Sequence, residues 1–237
     1  MQKQSRWWLI FRQNNTDMTK LQNITVLYFG SFNPFHIGHA AVAKFVASLP
    51  WVEELCFVLS PKNPIKESNT LQDANIRWED LQRVVKKLNK ETQEAAARQV
   101  SGLNPVGVTQ NCGQQSDGVH GSTPWRDTRF TASDIEFHLE PPLYTYNTLE
   151  RLSQEFPDKN FALLMGGDNI NILHKWYRGE ELLQKYPILV YPREGVDTEA
   201  ICKEKGAIFI DAPQVNVSST QIRNMQASGV DVSHLRY

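Results

Sequence analysis

The sequence predicts an α/β fold, a doubly wound and mostly parallel sheet with helices on both faces. Apolar runs recur along the chain, and most are continuous, as in parallel strands that are covered on both faces. They lie at 24–29, 55–60, 134–138, 161–166, 187–191 and 207–210. Helical stretches alternate with them, near 39–48, 73–89, 145–155, 179–185, 197–205 and 219–227. This alternation implies right-handed crossovers, a Rossmann-like arrangement, and a ligand site at the carboxyl ends of the strands.

Composition narrows the class of protein. The chain has 237 residues, an apolar fraction of 41% and a net charge of −1 at pH 7. A near-zero net charge argues against a general nucleic-acid binder or a membrane-surface protein. The cysteines Cys56, Cys112 and Cys202 are widely spaced, which disfavours a zinc site and a secreted disulfide scaffold. No apolar run is long enough to span a bilayer, so we expect a cytoplasmic protein without nucleic-acid or membrane partners.

The pattern indicates one domain with two additions. Residues 1–22 lack periodicity and are predicted to be an N-terminal tail, with Met18 just before the first strand; residues 23–237 form the domain. The segment from about 92 to 129 is rich in Gln, Gly, Ser, Thr and Asn and is predicted to be a flexible insertion. A long segment without structure of its own is uncommon in a compact domain, so a lid or an oligomer contact stays open as its role. A homo-oligomer is equally open.

Two histidines and two glycines lie where the first strand turns into a helix. The stretch Gly30–His39 follows the apolar run 24–29 and precedes a helical segment. Free backbone N–H groups and the helix dipole bind phosphate at such a junction, and glycine lets the backbone approach a ligand. Spacing by three places both imidazoles on one side of the first turn. The predicted site residues here are Gly30, Ser31, Phe32, Asn33, His36, Gly38 and His39. The alternative is an ordinary turn with two solvated histidines.

A second cluster of polar residues follows the last strand. Ser218, Ser219 and Thr220 stand at a predicted helix start, and Arg223 lies one turn further on the same side. Exposed hydroxyls, free N–H groups and a guanidinium make a site for a polyphosphate. Hydroxyl residues at that place are also ordinary helix caps.

Weaker candidates stand after the other strands. Lys66 follows the second strand and could reach a phosphate, although most loop lysines are merely solvated. Gly166 and Asp168 follow the run 161–166; the glycine permits close approach, and the carboxylate could bind ribose hydroxyls or cap the next helix. Arg193 ends the strand at 187–191 and could pair with phosphate.

An aromatic pair completes the candidates. Trp176 and Tyr177 lie among polar neighbours, so a ring that stacks on a planar heterocycle is plausible, whereas a buried tryptophan is more often part of the core. Tyr144 and Thr145 precede a helix and are assigned to the same subsite.

These segments together resemble bacterial nicotinate-nucleotide adenylyltransferases of the nucleotidyltransferase α/β-phosphodiesterase superfamily. In chain order they are GxFNPxHxGH, a Pro-Lys loop, Tyr-Thr-x-x-Thr-Leu, Gly-x-Asp, Trp-Tyr, Pro-Arg-x-Gly and Ser-Ser-Thr-x-Ile-Arg. The first and last motifs belong to the whole superfamily, and the middle ones select the family.

The resemblance implies adenylyl transfer from ATP to nicotinate mononucleotide, in NAD biosynthesis. His36 and His39 would donate to phosphate oxygens, with Arg223 as the third catalytic residue. Ser219, Thr220 and Arg223 would hold the β- and γ-phosphates. Mg²⁺ would be held mainly by phosphates and water, so no protein metal ligand is predicted. Asn33, Tyr144, Thr145, Trp176 and Tyr177 would bind the mononucleotide.

Three departures from the family pattern keep alternatives open. Leu143 replaces the usual serine, the 92–129 segment has no counterpart, and the chain stops soon after the Arg223 helix. The alternatives are an adenylyltransferase for nicotinamide mononucleotide or another small phosphate, and a nucleotide-binding regulator without turnover.

Overall fold

The computed structural model describes residues 22–61, 71–101 and 128–237 of the chain, and predictions placed on other residues, Lys66 among them, lie outside this part. It contains one six-stranded sheet in the order β3-β2-β1-β4-β5-β6, and every neighbouring pair is parallel. The strands are β1 Ile24–Gly30, β2 Val52–Leu59, β3 Arg129–Ser133, β4 Asn160–Gly166, β5 Ile188–Tyr191 and β6 Ile208–Phe209. The predicted fold class is confirmed.

Helices connect the strands and cover the sheet. They are α1 Ile37–Ala47, α2 Ala74–Ser101, α3 Thr145–Glu155, α4 Gly167–Asn171, α5 Gly179–Lys185, α6 Thr198–Lys205 and α7 Ser219–Ala227, with short 3-10 helices at Ile135–Phe137 and Leu173–Lys175. Helix α2 runs on to Ser101, so the first residues of the predicted insertion are helical. No helix in the described part of the chain is long and apolar enough to cross a membrane.

The strand predicted at 134–138 is wrong. The third strand is Arg129–Ser133, and residues 135–137 form a 3-10 turn in which the Phe137 N–H donates to the Asp134 carbonyl at 2.8 Å. The apolar side chains of this turn suggested a strand. Its central residue Glu136 is instead buried and accepts a hydrogen bond from Thr148 on α3 at 2.9 Å. That bond requires the chain to leave the sheet after Ser133.

Side chains of β1 alternate between two apolar clusters, one on each face of the sheet. Ile24, Val26 and Tyr28 join the cluster beneath α1 and α2, whereas Leu27 joins the cluster beneath α3, α5 and α6. Burial on both faces explains the continuous apolar runs of the sequence. Since β1 lies between β2 and β4, its carboxyl end is the point where the strand order reverses, and ligands bind at such points in doubly wound sheets.

The last residues of the chain return to the start of α1. The Ile37 N–H donates to the Leu235 carbonyl at 3.0 Å, and Val232 is buried against Val217 and Ile222. This small third cluster covers α7 and the amino end of α1.

Candidate active site

Two imidazoles form the cap of helix α1. His36 is the N-cap residue, and its Nδ1 accepts from the Gly38 N–H at 3.1 Å. His39 reaches back in the same way: its Nδ1 accepts from the His36 N–H at 3.3 Å. This is the reciprocal arrangement of a capping box, with histidines in place of the usual Ser and Glu. The rings stack with their centroids 3.7 Å apart. A capping role therefore exists in addition to any catalytic one.

The caps fix the protonation of both rings. An Nδ1 that accepts a hydrogen bond carries no proton, so each neutral ring has its proton on Nε2. Burial, with Arg193 adding to it, lowers the pKa of His36 to about 4. Burial also lowers the pKa of His39 well below its usual value, and His36 and Arg193 add to that effect. At neutral pH the pair is thus uncharged and offers two Nε2–H donors.

Aromatic side chains hold the His39 ring in place. The rings of Tyr28, Phe32 and Phe35 lie around it at centroid distances of 6.0, 5.3 and 5.1 Å. Phe32 adopts a positive φ of 43°. A Cβ on Gly30 would lie 2.8 Å from the Phe32 ring, so only glycine allows the ring to fold back here. Phe32, predicted to bind phosphate, uses its side chain to pack against His39.

Helix α7 points its amino end at the same place. Ser218 caps it, accepting from the Gln221 N–H at 3.2 Å, while the Gln221 side chain accepts from the Ser218 N–H at 2.8 Å. Both helix starts line one cavity of about 540 Å³. The lining residues are Tyr28, His36, Gly38, His39, Val42, Asp168, Tyr191, Pro192, Arg193, Glu194, Gln221 and the segment 213–218. Two positive helix ends, two imidazole donors and a guanidinium suit an anionic ligand.

Hydrogen bonds join α7 to the turn that precedes α1. Arg223 donates from Nη1 to the Asn33 carbonyl at 2.6 Å, and the Ser219 hydroxyl donates to the Pro34 carbonyl at 3.0 Å. Arg223 also donates from Nη2 to the Thr220 hydroxyl at 3.1 Å. The first and last motifs are therefore one unit. Among the described cavity-lining residues, Ser218 is the one member of the predicted hydroxyl cluster.

Arg193 and Asp168 meet across the end of β4. Arg193 Nε lies 3.5 Å from Asp168 Oδ1, and Arg193 Nη2 donates to the Tyr191 hydroxyl at 3.2 Å. The Tyr191 hydroxyl lies 3.2 Å from that of Tyr28 in the buried layer below. A Cβ on Gly166 would lie 2.5 Å from Asp168 Oδ1 and 2.9 Å from Arg193 Nε, so any larger residue there would displace these side chains.

The predicted mononucleotide residues gather elsewhere, around the start of α3. The rings of Tyr144 and Tyr177 stack at 4.5 Å with planes 16° apart, and Tyr177 is 48% exposed. Trp176 is half-buried against the cluster beneath α3, and its buried Nε1–H has no partner among the described residues. Asn33 is buried, and Thr145 opens α3. In the described chain, the residues Tyr144, Thr145, Trp176 and Tyr177 do not line the cavity between α1 and α7.

The sequence did not predict every residue that lines the cavity. Tyr28 and Tyr191 line the cavity although they are separated by 163 residues, and no local motif links them. The Pro-Arg pair next to Tyr191 was the available signal for that strand end.

Carboxylate clusters do not define this site. In the described residues, no group of three or more His, Cys, Asp and Glu side chains could hold a metal ion. Asp168 and Glu194 are the carboxylates among the described residues that line the same cavity as the two imidazoles.

Comparisons with known proteins agree with this geometry. The family model described as "Cytidylyltransferase-like" matches residues 27–225. A "Probable nicotinate-nucleotide adenylyltransferase" of Flavobacterium psychrophilum is 37% identical over 83% of this chain and 83% of the relative. One of Porphyromonas gingivalis is 33% identical over 90% of this chain and 88% of the relative.

A solved structure shares the fold. It is the Plasmodium falciparum nicotinic acid mononucleotide adenylyltransferase complexed with NaAD, with a TM-score of 0.64, 19% identity, and coverage of 89% of this chain and 87% of that one. The chain belongs to the cytidylyltransferase-like family and, within it, to the nicotinate-nucleotide adenylyltransferases.

Proposed function

We propose that this protein transfers the adenylyl group of ATP to nicotinate mononucleotide, forming nicotinate adenine dinucleotide and pyrophosphate. One observation carries the proposal: two imidazoles, each accepting a backbone N–H at Nδ1, line a cavity onto which two helix N-termini open. Such a site binds phosphate groups and donates hydrogen bonds without a charged acid or base. The names of the relatives favour nicotinate mononucleotide as the acceptor.

The reaction needs positioning and charge stabilisation rather than a protein nucleophile. A phosphate oxygen of the mononucleotide attacks the α-phosphorus of ATP, and the bond from that phosphorus to the α,β-bridging oxygen breaks. The electron pair leaves on pyrophosphate. His36 and His39 donate from Nε2 to oxygens on which charge grows, and Arg193 lies on the same wall to neutralise it. Gly38 keeps the amino end of α1 open to the phosphates.

The β- and γ-phosphates are assigned to the start of α7. Ser218, Ser219, Thr220 and Arg223 supply hydroxyls, N–H groups and a guanidinium there, and Lys66 and Ser31 are assigned to the same nucleotide. Within the described residues, Arg223 keeps further N–H donors beyond those given to Asn33 and Thr220, since a guanidinium has five. It can thus join the two motifs and bind phosphate at once.

The pyridine ring is assigned to the aromatic cluster at the start of α3. Tyr177 is exposed and stacks on Tyr144, so a planar ring can replace one partner of that stack. The buried Nε1–H of Trp176 is a donor that lacks an acceptor among the described residues. A ligand oxygen there would satisfy it.

A divalent cation belongs to the proposal, as enzymes of this family generally use one. The residues present fit an ion that arrives with the nucleotide. Asp168 is 58% exposed beside the phosphate site, and magnesium is commonly bound through one or two carboxylates, phosphates and water. When bound, Mg²⁺ would neutralise phosphate charge. The cytoplasmic location, the absence of nucleic-acid and membrane partners, and the open oligomeric state stay predictions of the sequence.

Pyrophosphate release tests the function. The purified chain is incubated with ATP and Mg²⁺ and with nicotinate mononucleotide or nicotinamide mononucleotide in turn. We expect release with nicotinate mononucleotide, with kcat/KM at least about tenfold above that for nicotinamide mononucleotide. A reversed preference would favour the nicotinamide alternative. ATP binding without release from either substrate would favour a regulator.

A further inference from the structure

A fully buried guanidinium lies beneath the turn that leads to the two histidines. Arg77, on the first turn of α2, is 1% exposed. Its hydrogen bonds within the described chain go to four backbone carbonyls: those of Gln72 at 2.9 Å, Ser31 at 2.8 Å, Ser60 at 3.0 Å and Pro61 at 2.8 Å. Burying a charge is costly unless its donors are satisfied, so a surface arginine would be the cheaper choice if only helix stability mattered.

Three of the four carbonyls, those of Ser31, Ser60 and Pro61, directly follow the ends of β1 and β2. The β1–β2 ladder makes its last bond from the Ser60 N–H to the Gly30 carbonyl at 3.0 Å. Both strands have ended there, and Arg77 Nη1 bridges the two segments by donating to the carbonyls of Ser31 and Ser60. Gln72 and Pro61 flank the stretch between β2 and α2. One side chain therefore replaces the missing ladder and ties three segments together.

The turn after β1 is held through its carbonyls from two sides. Three side chains donate hydrogen bonds to these carbonyls. Arg77 donates to Ser31 from one side; Arg223 donates to Asn33, and Ser219 to Pro34, from the other. Phe32, between Ser31 and Asn33, has a positive φ of 43°, which is unfavourable for a bulky residue. Such a conformation persists only where its surroundings enforce it. Phe32 in turn packs against His39 at 5.3 Å between ring centroids.

We propose that Arg77 is a positioning residue for adenylyl transfer. It fixes the Ser31 carbonyl against β2, keeps Phe32 in its strained conformation, and so holds the His39 ring and the His36 cap in the catalytic arrangement. The inference rests on the proposed function. Geometry explains the choice of arginine: a planar fork with five donors can meet four carbonyls, whereas the compact lysine ammonium cannot span them.

Kinetics of matched variants test the proposal. In Arg77→Lys the charge stays but the fork is lost; in Arg77→Ala the whole side chain is lost. Arg83→Met on the same helix is the control, since the Arg83 side chain is 70% exposed and pairs only with Asp80 in the described chain. Pyrophosphate release gives kcat and KM for both substrates, and active-fraction titration and melting curves are measured on each preparation.

We expect Arg77→Lys to lose at least about tenfold in kcat per folded molecule, with both KM values within about threefold of the parent. Arg83→Met should match the parent. Added guanidinium at millimolar concentration should raise the kcat of Arg77→Ala saturably, and ammonium should not. Rescue by the free cation reports the site itself, because a merely unstable variant would not recover.

Three outcomes overturn the proposal. The first is an Arg77→Lys kcat within about twofold of the parent, whatever its melting temperature. The second is a lowered melting temperature of Arg77→Ala with its kcat per folded molecule intact. The third is guanidinium-independent kcat in a folded Arg77→Ala. A parent chain that releases no pyrophosphate would refute the proposed function instead. Arg77 would then be tested on the histidines themselves: the imidazole NMR signals of His36 and His39 should shift in a folded Arg77→Lys, and signals that match the parent's would count against the positioning role.

Discussion

At the scale of single residues, the proposed function gives each histidine two roles, one for each ring nitrogen. Nδ1 of His36 and of His39 is occupied by a backbone N–H, which leaves Nε2–H for the ligand. The two roles can be separated by mutation, because a shorter side chain can accept a hydrogen bond at the Nδ1 position without reaching the Nε2 position.

His39→Asn separates these roles. Asparagine places its Oδ1 near the position of the histidine Nδ1, so it can keep the bond from the His36 N–H. Its side chain is too short to place a donor at the Nε2 position. We expect kcat to fall by about 10²–10³-fold, as on removal of one oxyanion donor, with little change in ATP KM. The melting temperature should stay near the parent's. Parental kcat in His39→Asn would show that capping is the whole role of His39.

The lowered pKa of His36 predicts a pH dependence of stability. Its folded pKa of about 4 lies below the ordinary value of 6.5, so the unfolded chain binds more protons between these limits. The contribution of His36 to the free energy of unfolding should therefore be complete above about pH 6.5. It should be lost as the pH falls toward 4, which lowers the free energy of unfolding by up to about 3 kcal/mol.

The matched variant for this pH effect is His36→Asn, which keeps a favourable N-cap and cannot titrate. Urea unfolding at several pH values from about 4 to about 7 measures the slope for both chains. The variant should show a flatter profile than the parent. Equal slopes for the two chains would assign the acid sensitivity to other groups.

At the scale of elements, the amino end of α1 is held by segments remote in sequence. The closing residues of the chain supply the Leu235 carbonyl, and Tyr237 packs on Phe35 at 5.9 Å between ring centroids. Lys87 Nζ lies over the Tyr237 ring, 4.2 Å from its centroid, and the Tyr237 hydroxyl donates to Glu91 on α2. The C-terminal segment thus ties α1 to α2 beside the histidines.

Substitutions at Tyr237 measure this tie. Tyr237→Phe loses only the hydroxyl bond and should lower the free energy of unfolding by about 1 kcal/mol. Tyr237→Ala also loses the half-buried ring and should cost about 2–3 kcal/mol. The neighbouring exposed residue His234, changed to alanine, is the control and should stay within about 0.5 kcal/mol of the parent. Chemical denaturation gives all three values. Equal stability of Tyr237→Ala and the control would mean that the segment contributes nothing.

At the scale of the whole molecule, the hydrophobic pattern of the sequence predicted most of the individual strands and helices. The runs at 24–29 and 161–166 became β1 and β4, and the predicted helices at 145–155, 179–185 and 219–227 have the observed bounds. The third strand was misplaced because Phe130 is the one buried side chain in a short edge strand, which is a weak signal beside the apolar turn that follows.

Contacts that the topology creates were beyond the sequence. The histidines and the Ser218 helix were found because each belongs to a motif of adjacent residues. Arg77 belongs to no such motif. Its partners include Ser31 and Ser60, which lie 46 and 17 residues away in the sequence. Tyr28 and Tyr191 meet only because β1 and β5 flank β4. A parallel sheet brings residues from different strands together at one edge. Only the order of the strands determines which residues become neighbours there.

The segment between α2 and β3 is predicted to be dispensable for chemistry. In the described chain, residues 92–98 of α2 contribute no buried side chain, whereas Leu81, Val84 and Leu88 do. Upstream of that point, Asn89 already pins the helix to the sheet. Its Oδ1 accepts from the Phe130 N–H at 2.9 Å, and its Nδ2 donates to the Phe130 carbonyl at 2.8 Å. Strand β3 therefore has an anchor on α2 that does not depend on the chain between them.

Replacement of residues 102–127 by a Gly-Ser linker of the same length tests this prediction, because it removes the side chains and keeps the reach. We expect kcat and both KM values within about threefold of the parent, since no residue assigned to the site lies in that range. A control variant, Asn89→Ala in the otherwise intact chain, should lower the melting temperature by removing the anchor. If the linker variant folds and yet loses more than about tenfold in kcat, the segment acts as a lid over the substrates and not as a passive insertion.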